Sequence, residues 1–298
     1  MRVLIIGGSG FLSGTLARVA MAIGHAVTVV TRGQRPVAAG VEVVTVDRTD
    51  RAGFARRIAE IDASWDFVVD AIAFSPEDAA QDIEVFAGRT GRLVLVSTDF
   101  VYDPKQRKNP QPEQAEAYCT NGYGGLKRQA EVVLEQTSTK VLPWTILRPS
   151  HIYGPGSLPG CLPLHGRDPQ LVGHILAGHP LRLIGGGVFL QHPVFAPDLA
   201  ETILSAAVNP AATGRTFNVN GPEVIESQTY YRVLAALLGQ DVVIEDVPVD
   251  DFLAAHPDKA PFCCDRVSDL TALRSTGIKL PATRLDDGLR RQLETLDR

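Results

Sequence analysis

The feature that most constrains this chain lies near its start. The apolar run Arg2 to Ile6 stops at Gly7-Gly8-Ser9-Gly10, and beyond it Leu12, Leu16, Val19, Ala20 and Ile23 recur at helical spacing. That order predicts strand, turn, helix. Gly24 closes the helix and Ala26 to Val30 supplies a second strand, which completes a βαβ unit. Glycines in such a turn lack Cβ atoms, so the backbone can approach a pyrophosphate, while the helix N-terminus offers free N–H groups and a positive dipole end. Dinucleotide binding is therefore expected at Gly7, Gly8, Ser9, Gly10, Phe11 and Leu12.

The alternation continues. Strand-like runs at 41–46, 67–71, 93–96 and 144–147, each expected to be buried on both faces, are separated by helical patterns at about 51–61, 77–87 and 123–136. This is the signature of an α/β fold with a Rossmann-type, doubly wound parallel sheet. After Arg148 the prolines 149, 155, 159, 163 and 169 break any long element, before a helical stretch at 197–207 and a strand-like 216–220 return to the sheet. The expected division is a dinucleotide-binding domain of residues 1–155 with 188–221, and a smaller C-terminal substrate lobe of 156–187 with 222–298.

Composition narrows the function class. Hydrophobic residues make up 45% and charged residues 21% of the 298, values of a chain with a full core, and no apolar run reaches the roughly 20 residues that span a bilayer. The apolar stretch at the N-terminus is too short for a signal peptide, so a cytoplasmic protein without a membrane partner is expected. A formal net charge of -5 provides no electrostatic footprint for nucleic acid. Cys119, Cys161, Cys263 and Cys264 have no metal-ligand spacing, and read as reduced thiols packed like small hydrophobes.

The end of the second strand reports on the dinucleotide, because an acid there takes the ribose hydroxyls and an arginine accommodates a 2'-phosphate. Here Thr31-Arg32-Gly33-Gln34-Arg35 contains no acid, which favours NADP over NAD, unless Arg32 and Arg35 are simply solvated. Asp47 either accepts from the adenine amino group or caps the next helix.

Tyr123 and Lys127 lie four residues apart and share one face of a helix. A phenol with a pKa near 10 becomes useful at neutral pH when a neighbouring cation and oriented hydroxyls favour its anion, and Lys127 is the candidate cation. Ser97 and Thr98 supply hydroxyls at the carboxyl end of the preceding strand, where open α/β sheets place their ligands.

With these motifs assembled, together with Arg148-Pro-Ser-His-Ile-Tyr-Gly-Pro155 and His192-Pro-Val-Phe-Ala-Pro-Asp-Leu-Ala200, the chain resembles the extended or atypical branch of the short-chain dehydrogenase/reductase superfamily over nearly its whole length. The resemblance implies Tyr123 as acid-base and Thr98 as hydrogen-bond donor to the substrate oxygen. Lys127 would hold the nicotinamide ribose and depress the tyrosine pKa. It also implies cofactor contacts at Asp70, Ala71, Ile72, Pro149 and His151, substrate contacts at Phe74, Asp99, His151 and Gln191, no metal, and a homodimer. His151 has a second reading as a packed side chain. Ser13 stands where the third glycine of the turn is usual, and Phe100 stands where dehydratases carry a second acid, which argues against water elimination. The activity so implied is NADPH-dependent reduction of a carbonyl, such as a keto sugar or sugar nucleotide. The alternatives are a nucleotide-sugar epimerase with tightly bound NAD, and a dinucleotide-binding sensor or RNA-associated protein similar to chloroplast stem-loop-binding proteins.

Overall fold

Val3, Leu4, Ile5 and Ile6 have no exposed surface, and a strand apolar on both faces has to lie inside a sheet covered on both sides. In the computed structural model, which describes residues 1–61 and 64–296, β1 (Arg2–Ile6) lies between β2 (Ala26–Thr31) and β4 (Phe67–Asp70). The last two residues of the expected lobe fall outside the described residues. Next come β3 (Glu42–Thr45), β5 (Leu93–Val96) and β6 (Trp144–Pro149), then the short strands β7 (Ile152–Tyr153), β8 (Leu181–Ile184), β9 (Leu190–Gln191) and β10 (Val194–Phe195), and β11 (Arg215–Val219). The sheet has seven strands in the order β11-β6-β5-β4-β1-β2-β3, and every pairing in it is parallel. One expectation fails at its margin: β3 is the edge strand, and Val43 is exposed there rather than buried on both faces.

Helices cover both sides. α1 (Phe11–Ala22) packs Leu16, Ala17 and Ala20 with Leu199 and Ile203 of α6 (Ala196–Val208) against one face. On the other face, α2 (Arg51–Ala59), α3 (Pro76–Phe86) and α4 (Gly122–Glu135) contribute Phe54, Ile58, Val85, Phe86, Ala130 and Leu134. Asp50, not Asp47, accepts from the Gly53 N–H as the cap of α2.

A third apolar cluster joins Tyr153, Leu171, Leu181 and Phe195 to Tyr230 and Leu234 of α7 (Ser227–Leu237) and to Leu285 and Leu289 near the C-terminus. After α5 (Leu171–Leu176), β8 pairs in parallel with β13 (Ile244–Val247), while β9 pairs antiparallel with β12 (Ile225–Glu226). Leu273 and Ile278, expected in the lobe, pack instead with the α1 and α6 cluster, because the chain crosses back to the main sheet there. Among the described residues no helix is long and apolar enough to cross a membrane.

The chain winds from β1 outward through β2 and β3, then returns to place β4 on the other side of β1. The connections diverge at the carboxyl ends of β1 and β4, which opens a crevice there. Both candidate clefts lie along that end of the sheet.

Candidate active site

The turn after β1 is shaped by contacts that allow no side chain. A Cβ on Gly8 would lie 2.4 Å from Val29, and one on Gly7, whose φ is +109°, would lie 2.6 Å from Ile72 Cγ2. Ser13 Oγ accepts from the Gly10 N–H at 3.0 Å and donates to the Gly7 carbonyl at 3.1 Å. The residue in the usual third-glycine position thus stitches the turn together, and its small buried side chain leaves helix packing undisturbed.

A cleft of about 370 Å³ opens above the turn, lined by Gly7, Ser9, Gly10, Thr31, Arg32, Arg35, Asp47, Ile72 and Phe74 among others. Ser9 and Thr31 hydroxyls meet at 3.2 Å across its floor. Asp47 Oδ1 accepts from the N–H and hydroxyl of Thr49, and these bonds, with the nearby Arg32 charge, hold its carboxyl below the usual carboxylate range. The cradle closed to Cβ atoms, the helix N-terminus and the basic rim suit a dinucleotide phosphate chain.

Gly8, Phe11, Leu12, Asp70 and Ala71 do not line this cleft. Gly8 is sealed against Val29, while Leu12 and Ala71 pack against the sheet core. Phe11 carries the guanidinium of Arg167 5.3 Å from its ring. Asp70 is fully buried, pairs with Arg48, and accepts from the N–H groups of Ile72 and Ala73 at 2.7 and 2.6 Å. Its carboxylate therefore shapes the loop after β4 rather than reaching a ligand. Arg48, which no sequence motif singles out, binds Asp78 and Asp82 as well, at 3.3 and 3.0 Å.

The second cleft, of about 310 Å³, is bordered by Thr98, Phe100, Tyr123, Pro149, His151, Arg167 and Arg266. Tyr123 reaches it because α4 begins unusually close to the preceding loop: a Cβ on Gly124 would lie 2.0 Å from the Phe100 carbonyl oxygen. Only glycine permits that approach. Thr98 caps the single turn that follows β5, accepting from the Phe100 N–H at 3.3 Å. The Tyr123 ring lies 5.5 Å from Phe74 and 6.1 Å from Phe100, so it stands between the two clefts.

Lys127 takes no part in either lining. It is buried, and its Nζ donates to the carbonyls of Ala73 and Val96 at 2.8 and 2.7 Å. Burial lowers its pKa to about 8 against the attraction of Asp70 and Glu131. The phenol of Tyr123 is shifted upward, since desolvation outweighs the hydrogen bond of Thr98 and the charges of Arg167 and Arg266. In the free protein the expected depression by Lys127 is thus not what the geometry produces, because the ammonium is committed to backbone oxygens.

Asp99, expected to meet substrate, is fully buried behind the cleft. It accepts from Arg266 Nε at 2.9 Å and from Arg107 Nη2 at 2.7 Å, and these cations hold its carboxyl below its usual range despite burial. Arg266 lies in turn 4.0 Å from the Phe100 ring. Gln191 is buried and forms a strand-like bridge with Arg266, outside the cleft lining. Arg167 and Arg266 were not legible: the first sits in a proline-rich loop with φ of 55°, and the second follows a cysteine pair in a segment without periodicity.

His151 borders the second cleft, with Tyr230 at 5.8 Å edge-on. Burial and the charges of Arg266 and Arg167 push its pKa down to about 3. A base whose folded pKa lies below its unfolded value of about 6.5 loses stability as pH falls between those two values, because only the unfolded chain takes the proton. His151→Asn should accordingly flatten the acid limb of stability between pH 6.5 and 4, by at most about 1.4 kcal/mol per pH unit. Urea midpoints at several pH values test this; parallel limbs for variant and wild type would show that the ring protonates freely.

A larger cleft, of about 890 Å³, lies in the lobe between Gly156–Pro159 and Leu237–Gly239. Asp168 is the one ionisable residue in its lining among the described residues. The four cysteines are unpaired, and no cluster suited to a metal occurs among the described residues.

The sequence profile of the NAD dependent epimerase/dehydratase family matches residues 3–220. Among curated proteins, the chain is 27% identical over 286 residues to 2'-dehydrokanamycin reductase of Streptomyces kanamyceticus, covering 92% of this chain and 78% of that protein. It is 26% identical over 238 residues to the chloroplast stem-loop binding protein of 41 kDa b of Arabidopsis thaliana, covering 75% of this chain and spanning 60% of the relative's length. Among solved structures, UDP-glucose 4-epimerase of Thermotoga maritima, with UDP-glucose, superposes with a TM-score of 0.79 at 18% identity, over 99% of this chain and 98% of that one. dTDP-glucose 4,6-dehydratase of Bacillus anthracis, in complex with NAD, gives 0.79 at 18% identity, over 99% and 96%. At such identities the structural likeness concerns the fold.

Proposed function

Because this chain belongs to the NAD dependent epimerase/dehydratase family, we propose that it is an NADPH-dependent reductase of a carbonyl compound, with Tyr123 as the general acid. The observation that carries this reading is the placement of Tyr123: it borders the smaller cleft beside Thr98 while touching Phe74, which lines the dinucleotide cleft. A nicotinamide held there would supply the hydride. Gly7, Ser9 and Gly10 would hold the pyrophosphate, Arg32 and Arg35 the 2'-phosphate, and Asp47 the adenine end. Pro149 and His151 would flank the nicotinamide end, and Lys127 would act from behind it by tying the loop after β4 to the end of β5.

The chain's own residues then perform the proton chemistry. Thr98 and Tyr123 hydrogen-bond the carbonyl oxygen, which orients it and polarises it toward attack. As negative charge grows on that oxygen, Tyr123 gives up its phenolic proton. Its pKa, raised by desolvation, keeps the phenol protonated at neutral pH, which is the state a general acid needs.

The basic end of β2, Arg32 and Arg35 without an acid, supports NADP in preference to NAD. Cofactor-stripped protein titrated with NADPH and NADH should bind NADPH more tightly, and should consume it when a ketone is added. Arg32→Ala should weaken NADPH by about tenfold or more, the worth of a charge-assisted hydrogen bond, and leave NADH nearly unchanged. Retained NAD with no net consumption would replace this reading with an epimerase; failure to bind either dinucleotide would leave a binding protein of another kind.

A further inference from the structure

Two buried nitrogens at the smaller cleft have no hydrogen-bond partner among the described residues: Nη1 of Arg266 and Nε2 of His151. Both residues line the cleft. An unpaired buried guanidinium N–H is costly, and in a functional cavity it marks a place where a ligand atom completes the set. The rest of the Arg266 side chain is fixed. Its Nε bonds Asp99 at 2.9 Å, its Nη2 bonds the other Asp99 oxygen, and Phe100 lies under its plane at 4.0 Å. The free nitrogen is thereby preorganised.

Charge points the same way. Asp99 is shared between Arg266 and Arg107, so the buried triad retains one net positive charge. Arg167 adds a second at the cleft, and no carboxylate is among the residues lining it. His151, whose ring stays neutral at physiological pH, offers a hydrogen bond without repelling a cation or attracting an anion by charge. At about 310 Å³ the cavity suits a compact molecule.

We infer that the compound reduced here is a small carbonyl molecule carrying an anionic oxygen group, a carboxylate or a phosphate, which docks on Arg266 Nη1 beside His151. This rests on the reductase reading, with the carbonyl placed at Thr98 and Tyr123.

The test is calorimetric titration of the protein saturated with NADP⁺, so that the phosphate turn is already filled. Four probes are compared: 4-oxopentanoate and its methyl ester, dihydroxyacetone phosphate and dihydroxyacetone. The charged member of at least one pair should bind tenfold or more tightly than its neutral partner, and the better of the two charged probes identifies the anion. Arg266→Lys, which keeps a cation beside Asp99 but loses the second arm, should erase most of that advantage, read as the ratio of charged to neutral probe within the variant itself. Equal binding of charged and neutral probes to the wild type, or no binding of any probe, overturns the proposal whether or not the variant folds. A charge preference without NADPH consumption keeps the anion site and removes the reductase; consumption with charge-blind binding does the reverse.

Discussion

Tyr123→Phe should reduce turnover by about 10²- to 10⁴-fold, the usual worth of a positioned acid-base group, while leaving the fold intact. The ring contacts with Phe74 and Phe100 do not involve the hydroxyl, and the residue is about half exposed. A substitution of that kind away from the core shifts stability by about 0.5 kcal/mol or less. Dinucleotide affinity should also persist, since Tyr123 lies outside the lining of that cleft. The pH profile gives a second readout. Because the phenol pKa is raised, the rate of reduction should hold through neutrality and fall as the pH approaches that higher value, where the acid loses its proton. Steady-state rates with NADPH and a responsive ketone measure both effects, and an undiminished rate in the variant would remove Tyr123 from the chemistry.

Asp99→Ala should cost about 3–5 kcal/mol of folding stability, the penalty for breaking a buried ion pair by deleting one partner. Arg266 is 1% exposed and the Arg107 side chain 3%, so neither guanidinium can recover its loss by turning to water. The pH dependence has a definite sign. The folded carboxyl titrates below its unfolded range, so its stabilisation is complete above the ordinary carboxylate pKa of about 3.9 and is lost as pH falls through the folded value. Urea denaturation at pH 7, pH 4 and pH 2 would show the difference between wild type and variant nearly unchanged over the first interval and shrinking over the second. A loss under about 1 kcal/mol at pH 7 would mean that solvent reaches the triad.

The parts of this fold that could be read in advance are those fixed by neighbours in sequence. The strand, turn and helix of residues 2–22, the alternation beyond them, and the four-residue spacing of Tyr123 and Lys127 all depend on periods of two or 3.6 residues. Even there, periodicity did not reveal that β3 lies at the edge, because edge position depends on which strand pairs with which. The cap of α2 was available locally: Asp50 stands three residues before Gly53, whose N–H it accepts, and it fits the turn better than Asp47.

What could not be read is held together across long intervals. Asp99 and Arg266 are 167 residues apart, and nothing near either one signals the other. The pairing of β8 with β13 likewise joins segments separated by the whole of α6 and α7. Lys127 was visible as a cation, but its commitment to the carbonyls of Ala73 and Val96 comes from the packing of α4 over the ends of β4 and β5. Burial, not sequence neighbourhood, decides its pKa.

The two clefts also differ in how much of the chain must exist before they do. Every residue lining the dinucleotide cleft lies between Ile6 and Asp78, whereas the smaller cleft draws its last wall residue from position 266. During synthesis from the N-terminus the groups proposed for the pyrophosphate and the 2'-phosphate emerge early, those proposed for the nicotinamide, Pro149 and His151, follow, and the arginine that pairs with Asp99 comes last. A chain stopped short of that point lacks one wall of the smaller cleft and also Leu273 and Ile278 of the main core, so premature termination would cost the fold as well as the cleft.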